Sequence, residues 1–148
     1  MTSFANIRDP RSDHLLTPQN AALLIVDYQP TQVSSVASRS KRELVANVTA
    51  VTGIGKLFGL PINVKTGVKG LTIHQIADVL TGAEAIDRTS INAWEDENFV
   101  KAIKAAGRKE LILVALWTEV CMAFPALDAL KEGSRLGDRG GHNCPLQC

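Results

Sequence analysis

Continuous apolar runs alternate along this chain with segments in which apolar residues recur every three or four positions. The clearest runs are Ala21–Val26, which ends at Asp27, and residues 111–116. Short apolar runs without polar alternation are typical of strands that are buried on both faces of a parallel sheet. Two weaker strands are predicted within 61–64 and 83–88.

The intervening segments carry helical signals. Apolar residues at helical spacing across 44–58 are followed by Gly59 and Pro61, which are typical stop signals. Across 99–106, acidic residues precede the apolar face and basic residues follow it, as the helix dipole favours. A brief helix is predicted within 72–80.

A last helix is predicted from Thr118, which can cap it, towards Gly133. Pro125 falls in the second turn of this helix, where its missing N–H should bend the axis. Strands that alternate with helices predict an α/β fold with a mostly parallel sheet. The length of 148 residues fits one domain, so we predict a single domain over 1–148.

Composition narrows the classes of function. Lys and Arg number 16 and Asp and Glu 15, so the formal charge is +1 and no basic excess points to nucleic acid. No apolar run reaches the length of a membrane span, and no polybasic block favours a membrane surface. The first thirty residues lack the apolar core of a signal peptide, and three cysteines do not make a disulfide scaffold. We therefore expect a cytoplasmic protein that binds neither nucleic acid nor membranes.

Two residues lie where chemistry is expected. Ligands of an open parallel sheet bind beyond the carboxyl ends of its strands, and Asp27 ends the first strand. Its alternative role is that of a solvated loop acid or a helix cap. Cys121 falls in the first turn of the last helix, where the dipole lowers the pKa of a thiol and N–H groups can bind an oxyanion. Its alternative role is that of a small buried apolar residue.

Arg88 closes the weak third strand and can place a cation at the same edge of the sheet. There it would interact with Asp27 and stabilise developing negative charge. Its alternative role is that of a surface arginine. His142, Cys144 and Cys148 provide too few ligands for a metal site, so no metal is predicted from the tail.

Three blocks of sequence carry a resemblance to a known family. They are ALLIVDYQ at 22–29, INAWED at 91–96 leading into FVKA at 99–102, and LWTEVC at 116–121 with FPAL at 124–127. In this combination the sequence resembles the isochorismatase-like cysteine hydrolases, most closely their YcaC-like branch, over about residues 15–133. The resemblance implies a three-layer α/β/α fold with a mostly parallel, Rossmann-like sheet.

The resemblance also implies a catalytic triad. Asp27 is then the base, Cys121 is the nucleophile that attacks an amide or related carbon, and Arg88 is the cationic member. The N–H groups of Trp117 and Cys121 would form the oxyanion hole, and a non-proline cis peptide would join Leu116 to Trp117. Trp94, Trp117 and Asn92 are candidate walls of the substrate pocket, and Gln29 is a further candidate for substrate binding. The alternative role of the three wall candidates is that of core residues.

The family further implies a homo-oligomer that acts on a small-molecule substrate. The Asp and His zinc ligands of nicotinamidases have no counterpart between Leu60 and His74, so we predict neither a metal nor any other cofactor. Arg88 stands where much of the family has Lys. Because arginine does not give up its proton, its role would be electrostatic only.

The family-like pattern ends at Gly133. Residues 134–148 are polar and Gly-rich, so the last strands of the family's sheet are expected to be missing, through truncation or a frameshift, and 111–116 would become an apolar edge. The alternative function is then that of a catalytically inactive, truncated member with an assembly or binding role. A flavodoxin-like nucleotide binder is disfavoured, because residues 28–31 are not the Gly-rich loop that cradles phosphate.

Overall fold

A parallel β-sheet forms the centre of the molecule. The computed structural model describes residues 16–67, 71–81, 86–87 and 90–136. Within these ranges five strands pair in the order β3-β2-β1-β4-β5. They are β1 (Ala21–Val26), β2 (Ile62–Thr66), β3 (Ile86–Asp87), β4 (Glu110–Ala115) and β5 (Arg135–Leu136).

Helices cover both faces of this sheet. They are α1 (Pro30–Ser35), α2 (Lys41–Leu57), α3 (His74–Val79), α4 (Glu97–Ala105) and α5 (Ala123–Lys131). A 3₁₀ turn at Ala93–Glu95 precedes α4, and a π-helical turn at Thr118–Met122 leads into α5. The predicted three-layer α/β/α architecture with a parallel sheet is confirmed.

The sheet reverses its strand order beside β1. Parallel pairing aligns Val26 of β1 with Lys65 of β2 on one side and with Ala115 of β4 on the other. From β1 the chain builds outwards through β2 and β3, and it then returns to the opposite side of β1 to form β4. The loops after β1 and β4 therefore leave in different directions, and such a switch point opens a crevice at the carboxyl edge of a sheet.

Alternate residues of β1 belong to two separate cores because side chains along a strand point to opposite faces. The first face, covered by α1, α2 and α3, has a largely aliphatic core that includes Leu23, Ile25, Leu44, Val48, Val64, Ile76, Val114 and Leu116. The second face is covered by the 93–95 turn, α4 and α5. Its core contains Ala22, Leu24, Val26, Trp94, Phe99, Ile103, Ala115, Cys121 and Ala129.

The helix predicted over 44–58 is confirmed as α2. One of its two glycines, Gly55, is explained by packing against the sheet. A Cβ added to Gly55 would lie 2.8 Å from Leu23 Cδ2 and 3.3 Å from Ile62 Cδ1, so the absence of a side chain lets the helix approach the sheet. The helix predicted over 99–106 and the brief one within 72–80 are confirmed as α4 and α3. Helix α1 was not predicted, because its six residues are too few to show a helical repeat of apolar positions.

The segment after β4 differs from the prediction. Thr118 does not cap a helix; the cap position belongs to Trp117, without a side-chain hydrogen bond, and the chain first makes a π-helical turn. Pro125 is the third residue of α5 and follows directly after this π-helical turn.

The structure also contains a short strand where the sequence shows no strand pattern. β5 has only two residues, and it pairs Arg135 with Glu110 and Leu136 with Leu111 at the beginning of β4. The predicted burial of β4 on both faces holds for its ends, whereas Ile112 and Leu113 in its middle are only half-buried. Among the described strands, no neighbour pairs with this middle part on its outer side.

Candidate active site

Asp27 stands directly at the switch point. It follows β1, is 1% exposed, and donates its backbone N–H to the carbonyl of Lys65 at 2.9 Å. Its φ of 65° lies in the left-handed region, which is unfavourable for most residues and is tolerated best by Gly, Asn and Asp. This conformation turns the chain sharply out of the sheet. Backbone strain of this kind occurs most often at functional sites.

Gln29 joins the ends of β1 and β2. Its side-chain oxygen accepts the N–H of Gly67 at 3.0 Å, and its side-chain nitrogen donates to the carbonyl of Gly67 at 3.4 Å. A Cβ on Gly67 would lie 3.0 Å from the Gln29 oxygen and 3.9 Å from a carboxylate oxygen of Asp27. Glycine at 67 therefore permits a close approach of backbone to both predicted site residues.

Cys121 is placed at the other side of the switch point. The pairing of β1 with β4 continues beyond the strands, since the N–H of Leu116 donates to the carbonyl of Val26 at 3.2 Å. Cys121 follows within the π-helical turn, which is closed by the N–H of Met122 donating to the carbonyl of Trp117 at 3.2 Å. Cys121 is 4% exposed and lies near the end of this turn, directly before α5 begins at Ala123.

The cis peptide implied for Leu116–Trp117 is not found, because this bond is trans in the structure. The chain leaves β4 instead through the extended backbone of Trp117. Trp117 is half-buried and packs against both cores, so its indole ring lies at the boundary between the two faces at this edge of the sheet.

Asn92 and Trp94 occupy the turn before α4. The Asn92 side-chain oxygen accepts the N–H of Trp94 at 3.0 Å, and its side-chain nitrogen donates to Asp128 Oδ2 at 2.7 Å. Both polar ends of Asn92 thus bind within the protein and fix the turn to α5. Trp94 is 8% exposed and belongs to the same core as Cys121. The structure therefore brings Trp94 and Cys121 to one side of the sheet.

One buried charge at this edge was not identified from the sequence. Lys65 in β2 is completely buried, and its Nζ lies 2.8 Å from Asp96 Oδ2 and 3.1 Å from the carbonyl oxygen of Asp87. The same Nζ lies 5.5 Å from the ring centroid of Phe99. The predicted strand ended at residue 64, so Lys65 lay just beyond it, and its burial follows only from the central position of β2 between β1 and β3 in the folded sheet.

Three carboxyl groups around the second face have a shifted pKa. Burial alone would raise the pKa of Asp96, but hydrogen bonds from Lys65 and from the Phe99 N–H hold it below its usual range. Hydrogen bonds from Lys131 and then Asn92 lower the pKa of Asp128. A hydrogen bond from Lys104, whose Nζ lies 2.8 Å from the carboxylate, lowers the pKa of Glu132.

Several predicted residues lie outside the described ranges. They are Arg88 and the tail residues His142, Cys144 and Cys148. In the ranges that are described, no three His, Cys, Asp or Glu side chains group as metal ligands. No helix in those ranges combines the length and the apolar character needed to cross a membrane.

Comparison with known families identifies the fold. The profile of the Isochorismatase domain matches residues 21–136, from the start of β1 to the end of β5. The chain belongs to the isochorismatase family. This family assignment covers both Asp27 and Cys121, and it agrees with the resemblance found in the sequence.

Individual members of the isochorismatase family are also similar. The probable hydrolase YcaC of Escherichia coli K12 is 39% identical over 123 residues, which are 80% of this chain and 59% of YcaC. The crystal structure of the E. coli YcaC gene product, an octameric hydrolase of unknown specificity, matches with a TM-score of 0.78 at 38% identity. YcaC from Pseudomonas aeruginosa, solved with hexane-2,5-diol and covalent acrylamide, matches with a TM-score of 0.78 at 39% identity. Both structural matches cover 82% of this chain and 62% of the solved chain. The present chain therefore spans about three fifths of the length of these relatives.

Proposed function

We propose that this chain acts as a cysteine hydrolase on a small amide or a related carbonyl substrate. The observation that carries the proposal is the placement of Asp27 and Cys121 after two neighbouring parallel strands, on either side of the switch point. Both side chains are almost fully buried, at 1% and 4% exposure. Electrostatic interactions are strongest where water is excluded, which suits proton transfer between an acid and a thiol.

The proposed reaction follows from the chemistry of these groups. The Asp27 carboxylate takes the thiol proton of Cys121, and the sulfur attacks the carbonyl carbon of the amide. N–H groups of Trp117 and Cys121 hold the negative oxygen while the C–N bond breaks, and the amine leaves with the proton from Asp27. Water then cleaves the thioester, so that the carboxylic acid is released and the thiol is restored. Arg88 contributes a positive charge as implied by the family.

Substrate contacts are proposed for four further residues around the two strand ends. Trp94 and Trp117 would provide apolar walls, because one packs beside Cys121 and the other lies at the boundary of the two cores. Asn92 and Gln29 would shape the pocket through the segments they hold, since their polar groups bind Asp128 and Gly67. We propose no cofactor for the reaction.

Homo-oligomer formation is part of the same proposal. The outer face of α5 exposes three large apolar side chains at helical spacing, Phe124, Leu127 and Leu130, which are 47%, 55% and 49% exposed. Apolar groups that share one helix face are typical of an interface between subunits. E. coli YcaC, which is similar over most of this chain, is octameric. Light scattering of the purified chain tests this part.

Labelling of Cys121 with acrylamide tests the proposed nucleophile. Acrylamide is a suitable small electrophile because the solved P. aeruginosa relative carries it covalently. The rate of addition to Cys121 is measured by peptide mapping from about pH 5 to about pH 9, beside the rates at Cys144 and Cys148 as reference cysteines of the same chain. Free cysteine, whose thiol pKa is about 8.5, is measured under the same conditions. We expect Cys121 to react well below the pH at which the two reference cysteines react.

Asp27→Asn is the decisive variant in this experiment. Asparagine has nearly the same size and tolerates the left-handed conformation at position 27, so the variant removes the carboxylate without adding strain. We expect the rate at Cys121 to fall by about 10²–10⁴-fold, which is the usual contribution of a general base. Cys121→Ser is the control that assigns the modified peptide. If Cys121 reacts like the two reference cysteines and Asp27→Asn has no effect, the assignment of base and nucleophile is wrong.

A further inference from the structure

The buried ion pair between Lys65 and Asp96 connects three elements at the carboxyl edge of the sheet. Lys65 belongs to β2, it donates to the carbonyl of Asp87 in β3, and its partner Asp96 immediately precedes α4. The Lys65 side chain has no exposed surface, and that of Asp96 is 17% exposed. An ammonium in such surroundings requires partners that are fixed in place.

Each member of the pair also makes a backbone contact that leads towards the proposed site. The carbonyl of Lys65 accepts the N–H of Asp27 at 2.9 Å. The Asp96 N–H donates to the carbonyl of Ala93 at 3.3 Å, and its carboxylate accepts the N–H of Phe99 at 3.0 Å. Asp96 therefore closes the 93–95 turn on one side and begins α4 on the other. Trp94, in the middle of this turn, packs in the same core as Cys121.

The same turn is held from its other end. Asn92 donates to Asp128 Oδ2 at 2.7 Å, and Asp128 lies on α5, the helix that continues from the turn containing Cys121. The turn is thus attached to β2, whose Lys65 carbonyl accepts the Asp27 N–H, and to α5, the helix that follows Cys121. A buried ion pair rarely stabilises a fold more than an apolar pair of similar size would. The role of the pair is therefore sought in the geometry that it imposes on the turn.

We propose that the Lys65–Asp96 ion pair is a positioning device that fixes the 93–95 turn, and with it Trp94, relative to Asp27 and Cys121. Lys65 and Asp96 are positioning residues in this inference, which rests on the proposed function of Cys121. Loss of the pair lets the turn move relative to the strand end. A displacement of about 1 Å of a site wall lowers a reaction rate on the order of 100-fold.

Five variants, including the charge-conserving Lys65→Arg, separate positioning from stability. Lys65→Met and Asp96→Asn each break the pair, and the double variant Lys65→Met/Asp96→Asn replaces it with neutral groups of similar size. Asparagine at position 96 can still accept the N–H of Phe99 and begin α4. Lys101→Met is the matched control, because it breaks the exposed Lys101–Glu97 ion pair of 3.0 Å within α4 itself. For each variant the rate of acrylamide addition to Cys121, the thermal unfolding midpoint and the hydrogen exchange of residues 92–99 are measured.

We expect both single variants to lower the midpoint and the rate, because each leaves a charge without its partner. In the double variant the midpoint should return towards that of the wild type, whereas the rate should stay reduced by about 10–100-fold. Exchange of residues 92–99 should remain faster than in the wild type. Lys65→Arg, which keeps the charge, should retain more of the rate than Lys65→Met, and Lys101→Met should match the wild type in all three measurements.

Recovery of both midpoint and rate in the double variant would show that the pair is merely structural and would overturn the proposal. Unchanged rates in all variants, beside a reactive wild type, would overturn it while leaving the proposed function intact. A wild-type Cys121 that reacts no faster than Cys144 and Cys148 would instead refute the proposed function, and the positioning role with it. If the double variant does not fold, Asp96→Asn decides, since it breaks the pair and a normal rate in its folded fraction would equally overturn the proposal.

Discussion

The two faces of the sheet differ in the kinds of side chain that form their cores. The core of the first face is built almost entirely from aliphatic side chains of β1, β2, β4 and three helices. The second face combines small residues such as Ala22 and Ala115 with two large aromatic rings, a thiol and a buried ammonium. Close packing of branched aliphatic residues maximises buried apolar area. The first face therefore supplies stability, whereas the second gives up part of it to hold polar and reactive groups.

Leu23 and Leu24 provide the most direct test of this difference between the two faces. They are neighbours on β1, each is 1% exposed, and they belong to the first and the second core respectively. Leu23→Ala and Leu24→Ala should each lower the free energy of unfolding by about 2–5 kcal/mol, because each leaves a cavity in a packed core. We expect only Leu24→Ala to slow acrylamide addition to Cys121 in the folded protein.

Chemical denaturation and the labelling rate measured on the same preparations check this prediction. The labelling is performed without denaturant, so that the folded fraction dominates. Equal effects of the two variants on the rate would show that the two cores are not functionally distinct. Equal losses of stability with different rates would support the division between the faces.

The two glycines of α2 test how tightly the first face is packed. Gly55→Ala would place a Cβ 2.8 Å from Leu23 Cδ2, whereas a Cβ at Gly53 meets nothing within 4 Å. Overpacking at position 55 should cost about 1–3 kcal/mol, which offsets or outweighs the gain in helix propensity of about 1 kcal/mol. Gly53→Ala keeps that gain without the clash. Thermal unfolding should therefore show a higher midpoint for Gly53→Ala than for Gly55→Ala, which should be unchanged or lowered. A stabilised Gly55→Ala would show that the helix can move away from the sheet at no cost.

The sequence predicted the architecture and the placement of the candidate site because both depend on short-range patterns. The apolar run before Asp27 is typical of an interior strand, and the carboxyl ends of parallel strands share one edge. Helices with a long amphipathic pattern, such as α2 and α4, could be predicted equally well from the sequence. Their boundaries followed from stop signals and from the acidic residues that begin α4.

Features that depend on tertiary contacts were not predicted. Lys65 is ordinary in a strand pattern, and only the folded chain brings its ammonium to Asp96, 31 positions further along the chain as the numbering shows. The π-helical turn at Thr118–Met122 has no propensity signal, since residues of the same types also begin α-helices. β5 is too short for any period to be visible. Asp96 was recognised as one of several acidic residues at a helix start, but its ion pair was not.

The smallest expected effect concerns Asp128, through which α5 holds the Asn92 turn of the second face. Hydrogen bonds from Lys131 and then Asn92 lower the pKa of its carboxyl below the ordinary value of 3.8. The charged form is therefore favoured by folding, so its contribution to stability is complete above that value and is lost as the pH falls through the lower pKa of the folded state. Asp128→Asn can still accept from Asn92 but cannot pair with Lys131. The variant should be slightly less stable at neutral pH and should lose less stability on acidification than the wild type.

Thermal midpoints from about pH 6 to about pH 2 measure this difference. Lys131→Met is the matched variant, since it removes the larger cause of the shift and leaves the bond between Asn92 and Asp128. Its profile should resemble that of Asp128→Asn, because both remove the exposed pair of 2.8 Å between α5 side chains. If Lys131→Met instead keeps the acid sensitivity of the wild type, the bond from Asn92 is the interaction that favours the charged carboxylate. The link between the turn and α5 would then matter more for the second face than the surface ion pair beside it.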